Sequence, residues 1–245
     1  MTGFAAGVFL VDKPVGPSSF TMVRQLRRLL GIKKVGHAGT LDPFASGLLV
    51  ICAGRPATKM ISSLMAGEKQ YLATLCLGRQ TTTLDPEGEI VEERVVGMRT
   101  AEEIEACLAR FRGEQWQRPP AYSAVKHKGK PLYHYARKGI EITKEPRRVE
   151  VTELVRLDDG GALAGDFPQL RLKVRCSKGT YIRVLAADIG EALGCGAYLQ
   201  DLRRTASGLF SVESAIPGEL LPTMDDPSEI LPAMLSVEKI ANLLQ

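Results

Sequence analysis

The segment from Gly36 to Gly47 reads Gly-His-Ala-Gly-Thr-Leu-Asp-Pro-Phe-Ala-Ser-Gly and runs directly into the apolar stretch 48–53. Its three glycines and one proline favour a loop of defined, non-helical shape. Asp42 precedes Pro43, and a residue before proline is pushed toward extended geometry, so its carboxylate should project from the loop. The segment therefore predicts a loop that presents one carboxylate beside a buried strand. Taken alone, it is also compatible with an Asx turn that only feeds the strand.

The residues before this loop predict a strand followed by a helix. The apolar run from Gly7 to Val11 ends at Lys13-Pro14, as a short strand would. Ser18 or Ser19 can cap a helix that ends at Gly31. The apolar positions with helical spacing in this segment are Phe20, Val23, Leu26 and Leu30.

Further strands and helices alternate along the rest of the chain. Helices are predicted from Pro56 to Met65, from the capping box at Thr100 to about Arg110, at 131–138, and from Thr180 to Leu193 with Gly194 as the stop. Strands are predicted at 69–77, 89–96, 149–157, 170–176 and from 197 to about 205. This order predicts an α+β fold with a mixed, largely antiparallel sheet flanked by helices.

The composition is that of a globular protein without a membrane segment. Of 245 residues, 44% are hydrophobic and 24% are charged, and the longest apolar runs fall far short of the roughly 20 residues that span a bilayer. Residues 1–7 lack a basic region before an apolar segment, so we expect no secretory signal. The five cysteines form no CxxC pair and the three histidines lack ligand-like spacing, so we expect reduced, buried thiols, no metal site and a cytoplasmic protein.

The charge distribution is asymmetric. Residues 118–148 hold nine Lys or Arg and two Glu, a balance of +7, so the remainder of the chain sums to −3 within the net +4. Tyr122, Tyr133 and Tyr135 lie among these cations, a mixture typical of surfaces that meet phosphates and stack on bases. The alternative is a solvated lysine-rich face. A second basic group precedes the Asp42 loop and consists of Arg24, Arg27, Arg28, Lys33 and Lys34.

The C-terminal stretch differs from the rest. Residues 217–245 hold five acids and one base, and Ser236 starts an amphipathic helix near the terminus. We therefore expect a main domain over residues 1–212 and a separate C-terminal segment over 213–245.

A third segment, Arg175 to Arg183, joins a strand to a helix through Gly179. Arg183 lies near the helix start, where the helix dipole disfavours a cation. We therefore expect a compensating anion beside it, either an acidic side chain such as Asp42 or a phosphate.

Five blocks together resemble the TruB family of tRNA pseudouridine synthases. They are 12–19 (Asp-Lys-Pro-Val-Gly-Pro-Ser-Ser), 36–47, 69–71 (Lys-Gln-Tyr), 119–126 (Pro-Pro-Ala-Tyr-Ser-Ala-Val-Lys) and 177–183 (Ser-Lys-Gly-Thr-Tyr-Ile-Arg). The resemblance keeps this order from about Val8 to Leu209. It implies a pseudouridine synthase fold, with a basic insertion at about 118–148 and a truncated or vestigial PUA-like RNA-binding domain at the C-terminus.

The resemblance also implies a reaction. Pseudouridylation breaks the N1–C1′ bond of a uridine, turns the base and rejoins it through C5. Asp42 would be the catalytic carboxylate, ionised at neutral pH and held so by Arg183. The sequence leaves open whether Asp42 attacks the sugar or base, or stabilises a cation and abstracts a proton. Tyr71 would stack on the flipped uracil, and its hydroxyl is a candidate general base.

The substrate implied is the T-loop uridine at position 55 of tRNA, handled by a monomer without metal or organic cofactor. Tyr181 and Leu202 would wall the base pocket. His37 would fill the space left in the T-loop when bases flip out. From their charge, Lys126, Lys128 and Lys130 should contact the RNA backbone of the T stem-loop.

Two alternatives use the same scaffold. A non-catalytic tRNA-binding or folding chaperone would be expected to lack Asp42, Tyr71 or Arg183. A pseudouridine synthase for another RNA, if guide-directed, would be expected to carry a complete PUA domain and partner-binding extensions. A metal-dependent nuclease would need clustered carboxylates or histidines, which the sequence does not show.

Overall fold

A computed structural model describes residues 6–244 of the chain. The strands are β1 (Gly7–Lys13), β2 (Val35–His37), β3 (Ser46–Ala53), β4 (Lys69–Leu77), β5 (Arg79–Thr81), β6 (Ile90–Glu93), β7 (Val96–Arg99), β8 (Gly113–Gln117), β9 (Lys126–His127), β10 (Lys130–Pro131), β11 (Arg147–Arg156), β12 (Leu163–Gly165), β13 (Gln169–Cys176), β14 (Ala197–Ser207), β15 (Phe210–Ser211), β16 (Ile216–Pro217) and β17 (Leu235–Ser236).

The helices are α1 (Ser19–Leu30), α2 (Arg55–Lys59), α3 (Ile61–Leu64), α4 (Ala101–Ala109), α5 (Leu132–Ala136), α6 (Ile182–Ala192) and α7 (Val237–Leu243). Short 3₁₀ turns occupy Val212–Ser214, Gly218–Leu220, Pro227–Glu229 and Leu231–Ala233.

Helix α1 shows how local chemistry sets the ends of an element. The Ser18 Oγ accepts a hydrogen bond from the Thr21 amide at 3.1 Å, and Gly31 ends the helix with φ +65. Phe20 was expected on the buried face, but that expectation is wrong, because its side chain is 57% exposed. Phe20 lies about 150° around the helix from the centre of the face that Met22, Leu26 and Leu29 bury.

Two other sequence expectations need correction. The helix predicted from Pro56 to Met65 is two short helices, α2 and α3, that meet at Met60. Each buries a single side chain, Ala57 or Leu64, so no continuous apolar face stabilises a longer helix. The strand predicted at 89–96 is divided, because β6 pairs with β5 and β7 pairs with β12. Strand β8 was not predicted from the sequence.

The chain forms two compact units and passes between them within β4 and β14. The first unit contains residues up to Tyr71 and from Leu202 onward, and the second contains Leu72–Asp201. In the first unit β1 and β3 pair antiparallel along their whole length. Both faces of this pair are buried, which explains why residues 48–53 form a continuous apolar run instead of alternating.

Helix α1 covers one face of the β1–β3 pair, where Phe9 and Ile51 are fully buried. The C-terminal segment contributes Leu221 and Ile230 to this same cluster, and Ile240 to the cluster on the opposite face. The C-terminal segment is therefore packed into the cores of the first unit.

In the second unit β11 pairs antiparallel with both β13 and β8. Helix α4 begins with the expected capping box, in which Thr100 and Glu103 satisfy each other's backbone amides at 3.2 and 2.9 Å. Helix α4 contacts α6 and β11. These contacts hold α6, the helix that contains Arg183, against a packed scaffold.

The pairings confirm the expected fold class. Most described strand pairs are antiparallel, whereas β1–β16 and β14–β3 are parallel, so the sheet is mixed in an α+β fold.

The five cysteines are free and buried, as expected, and burial raises the pKa of the Cys52 thiol to about 12. Across residues 6–244, no helix combines the length and apolar character needed to cross a bilayer.

Candidate active site

The loop that carries Asp42 is anchored at its start by strand pairing. His37 is the last residue of β2 and lies opposite Ile51 of β3, and the Ala38 amide donates to the Val50 carbonyl at 2.9 Å. The chain then turns away from the sheet and returns at Ser46. The Ala45 amide closes the turn by donating to the Asp42 carbonyl at 3.1 Å.

The residues on both sides of Asp42 are held by hydrogen bonds from the 12–19 block. Ser19 Oγ donates to the Leu41 carbonyl and accepts from the Leu41 amide, both at 2.8 Å. The Pro43 carbonyl accepts from the Gly16 amide at 2.8 Å and from the buried Lys13 ammonium at 3.3 Å. Asp42 itself is half-buried. The backbone therefore fixes the position from which its carboxylate projects.

His37, in the first unit, has a half-buried imidazole. Burial lowers its pKa, the positive charge of Arg204 lowers it further, and an interaction with the Gly39 backbone works in the opposite direction. His37 is therefore neutral near pH 7. A neutral ring suits the role that the resemblance implies, which is to fill the space left by flipped bases, since it can enter among bases without carrying a charge.

Tyr71 and Leu202 are also in the first unit. Tyr71 is 8% exposed and shares a face of β4 with Ala73 and Leu75. Leu202 is 6% exposed and lies in β14. The Thr205 hydroxyl of β14 donates to the Gln70 side chain of β4 at 3.0 Å. Tyr71 and Leu202 therefore both extend from the fixed backbone of a regular strand.

In the second unit Arg183 forms a buried ion pair with Asp85. The Arg183 Nη1 and the Asp85 Oδ2 are 3.1 Å apart, and both side chains are 4% exposed. Arg183 also donates to the carbonyls of Thr83 at 3.0 Å and Tyr122 at 2.7 Å. Its expected anion is present, and within this unit it is Asp85. The predicted pairing of Arg183 with Asp42 stays a prediction.

Asp85 is fixed in turn by its own loop. Its carboxylate accepts from the Thr83 hydroxyl and from the Glu87 amide, and the Thr81 hydroxyl donates to its carbonyl at 2.8 Å. The polar turn 81–88 is thereby tied to the start of α6. Sequence reasoning gave Asp85 no role, although its place in a Thr-rich turn before Pro86 was a usable signal.

Tyr181 precedes α6 and is held by a residue that sequence reasoning missed. The Gln117 side-chain amide donates to the Tyr181 carbonyl at 3.0 Å and accepts from the Tyr181 amide at 2.7 Å. Gln117 is 3% exposed. A buried amide with both bonds satisfied fixes the backbone from which the Tyr181 ring extends.

The three lysines predicted to meet RNA lie on a small hairpin of the second unit. Lys126 belongs to β9, Lys130 belongs to β10, and Lys128 lies at the turn between them with φ +47. All three are exposed. No ion pair involves them among the described residues, so their charges are open to solvent and to an anionic ligand.

The described residues contain no group of three or more His, Cys, Asp or Glu that could hold a metal ion. The first unit offers one half-buried carboxylate and a buried tyrosine, and the second unit offers a buried arginine–aspartate pair and exposed cations.

Family models match most of the chain. The TruB family pseudouridylate synthase N-terminal domain matches residues 27–182, and the tRNA pseudouridylate synthase B C-terminal domain matches residues 183–231.

Curated relatives match over almost the whole length. A tRNA pseudouridine synthase B from Desulfotalea psychrophila is 60% identical over 242 residues, covering 99% of this chain and 98% of the relative. One from Chlamydia trachomatis is 47% identical over 221 residues, covering 90% of this chain and 87% of the relative.

Among solved structures, a chain of a Cbf5-Nop10-Gar1 complex is 30% identical with a TM-score of 0.67, and the match covers 95% of this chain and 60% of that chain. An H/ACA RNP bound to a substrate RNA gives a TM-score of 0.66 at 26% identity over 95% of this chain and 60% of that one. The sequence and structural matches agree with the motif blocks and with the fold, and the chain belongs to the TruB family of pseudouridylate synthases.

Proposed function

We propose that this enzyme converts the T-loop uridine at position 55 of tRNA to pseudouridine, with Asp42 as its catalytic carboxylate. The observation that carries the proposal is the double anchoring of Leu41 and Pro43, which fixes a half-buried carboxylate in a loop. The relatives named tRNA pseudouridine synthase B supply the substrate class.

The reaction is an isomerisation, so every atom of the uridine is retained. The N1–C1′ bond breaks, the uracil turns, and a C5–C1′ bond forms. The proton on C5 then leaves to a base, and N1 gains a proton. Electrons balance within the substrate, so the step needs no redox partner. Asp42 either bonds to the substrate or stabilises its cationic sugar, and both courses need the carboxylate ionised.

The remaining site residues follow in this proposal. Tyr71 stacks on the uracil, and its hydroxyl serves as the general base that takes the C5 proton. Arg183 acts on the Asp42 carboxylate or on the substrate while Asp85 fixes its orientation. Tyr181 and Leu202 enclose the flipped base, and the neutral His37 fills the space it leaves.

The basic segment 118–148 would bind the RNA backbone. Its exposed Lys126, Lys128 and Lys130 suit contacts with phosphates of the T stem-loop, which position RNA without reading its sequence. The enzyme would act in the cytoplasm as a monomer without metal.

The division at residue 212 is part of the same proposal. Residues 1–212 would carry the catalysis, and residues 213–245 would be the start of, or a remnant of, a PUA-like RNA-binding domain. Because Leu221, Ile230 and Ile240 are buried in the first unit, we expect this division to be one of function and not of independent folding.

The test is to incubate the protein with an unmodified tRNA transcript and to map pseudouridine by carbodiimide-blocked primer extension. We expect a single block at position 55 that Asp42→Asn removes. A matched transcript with cytidine at position 55 is the control, because it should give no block in primer extension at that position. Blocks at other positions would assign a different RNA site, and tRNA binding without any block would favour the chaperone alternative.

A further inference from the structure

We propose that Arg204 is a positioning residue that holds both ends of the Asp42 loop through backbone carbonyl groups. The inference rests on the proposed role of Asp42. Arg204 is 1% exposed. Its Nε donates to the Leu48 carbonyl at 2.7 Å, its Nη1 to Thr40 at 3.3 Å and its Nη2 to Gly39 at 3.1 Å.

The backbone of Arg204 also touches the loop. In the parallel β14–β3 pair, Arg204 lies opposite Gly47. A Cβ on Gly47 would lie 2.2 Å from the Arg204 carbonyl oxygen and 2.6 Å from its nitrogen, so only glycine fits. Gly39, at the other end of the loop, has φ +109 and would place a Cβ 3.5 Å from the Arg204 Nη1. One residue therefore contacts the chain before and after Asp42.

The chemistry of the contacts requires arginine. The three acceptors lie on two separate stretches of chain, 39–40 and 48, and the planar guanidinium offers donors in a rigid fork that reaches both. A lysine would keep the charge but present its donors from a single atom. Hydrogen bonds from a charged donor are also stronger than neutral ones, so the buried guanidinium is held by carbonyl dipoles.

Arg204 acts on the loop and not on the reacting atoms. The acceptors of its guanidinium are backbone oxygens, and no ion pair involves it among the described residues. Its neighbour Arg203 differs, because it pairs with the Asp12 carboxylate at 2.6 Å and is partly exposed. The effect of Arg204 should therefore appear in the chemical step and in loop order, and not in RNA affinity.

The experiment compares Arg204→Lys with the wild type in three measurements. These are the single-turnover rate on saturating unmodified tRNA, the Kd for tRNA, and hydrogen–deuterium exchange of amides 38–48 in the free protein. We expect the rate to fall about 100-fold or more, the Kd to stay within threefold, and the Leu41 and Ala45 amides to exchange at least tenfold faster.

Arg28→Lys is the matched control. Arg28 is another arginine of the first unit that donates to backbone carbonyls, those of Leu221, Pro222 and Met224, and it has no part in the loop. All three measurements should stay at the wild-type values. An equal loss of rate in Arg28→Lys would overturn the assignment, because the loss would then follow from general destabilisation.

A second variant guards against misfolding of Arg204→Lys. Gly39→Ala forces a side chain into φ +109 at the point where the guanidinium holds the loop, and it should lower the rate with the Kd retained. A wild-type rate or wild-type loop exchange in either folded variant would overturn the proposal. If the wild type forms no pseudouridine, the proposed function fails, and the exchange measurement still decides whether Arg204 orders the loop.

Discussion

The Asp42 loop and the basic hairpin at 126–131 are built in opposite ways. The residues beside Asp42 receive hydrogen bonds from Ser19, Gly16 and Lys13, and Leu41 is 3% exposed. The hairpin lysines are exposed and form no ion pair among the described residues. The difference follows from the two tasks. A carboxylate that acts in a reaction must be held in place, whereas cations that neutralise phosphates need only charge and access.

The largest expected effect is on the loop side of this comparison. Asp42→Asn keeps the shape of the side chain and removes its charge. We expect single-turnover product formation to fall by more than about 1,000-fold, since electrostatic stabilisation at the reacting centre usually contributes most to the rate enhancement. The Kd for tRNA should stay within a few fold. Residual activity above that level would remove Asp42 as the essential group and break the comparison.

The buried pair of the second unit gives the next largest effect. Asp85→Asn removes the carboxylate of the buried Arg183–Asp85 pair, and breaking a buried pair typically costs about 3–5 kcal/mol of unfolding free energy. Pseudouridine formation should fall with it. Urea unfolding measures the loss of stability, and single-turnover kinetics measure the loss of pseudouridine formation. Glu93→Gln is the control, because its pair with Arg79 is partly exposed, with side chains 32% and 47% accessible, and should cost at most about 1 kcal/mol. Equal losses would show that burial does not matter here.

The hairpin should show the opposite signature. Replacing Lys126, Lys128 and Lys130 with Ala should weaken tRNA binding and reduce the slope of log Kd against log salt by roughly one unit per lost phosphate contact. Filter binding across a salt series measures this. Lys239→Ala removes an exposed cation from the acidic C-terminal segment and should leave the slope unchanged. A wild-type slope in the triple variant would mean that the hairpin is only a solvated face.

The smallest effect concerns His37 and pH. Its pKa is lowered in the folded protein, so the unfolded chain takes up the proton first as the pH falls. Above about 6.5, the ordinary value for histidine, both states are neutral and His37 contributes no pH dependence. As the pH falls from about 6.5 to the pKa of His37 in the folded protein, the free energy of unfolding decreases. The total decrease is about 1.4 kcal/mol for each pH unit between the unfolded and folded pKa values.

His37→Gln should remove this loss. We therefore expect the difference in unfolding free energy between wild type and variant to change between pH 7.5 and 5 in favour of the variant. A constant difference across that range would contradict the lowered pKa.

Sequence signals that act over a few residues predicted their elements well. Helix α1 begins and ends at the expected caps, Ser18 and Gly31, and β4 has the predicted bounds 69–77. Strand β8, Gly-Glu-Gln-Trp-Gln, has little apolar alternation and depends on its pairing with β11. Its signal is tertiary, so the sequence alone could not supply it.

The same limit applies to the site. Asp42 could be identified because glycines, a proline and a following apolar strand surround it in one short segment. Asp85 lies in a recognisable Thr-rich turn, but the sequence does not reveal its partner Arg183. Gln117 carries no local signal, because its partner Tyr181 is 64 residues away. Arg28, counted with a basic group that flanks the loop, instead holds Asp225 at 3.0 Å and neighbouring carbonyls. A charge count cannot tell an occupied cation from a free one.

We propose that the Asp42 loop carries out the reaction and that the basic hairpin binds the RNA backbone. The most direct measurement is the single-turnover rate of pseudouridine formation at saturating tRNA for the triple Lys126, Lys128 and Lys130 to Ala variant, beside the same rate for Asp42→Asn. We predict a wild-type rate for the triple variant and a rate lowered by more than about 1,000-fold for Asp42→Asn. A triple variant that stays slow at saturation, or an Asp42→Asn protein that keeps more than that residual rate, would contradict this division of roles.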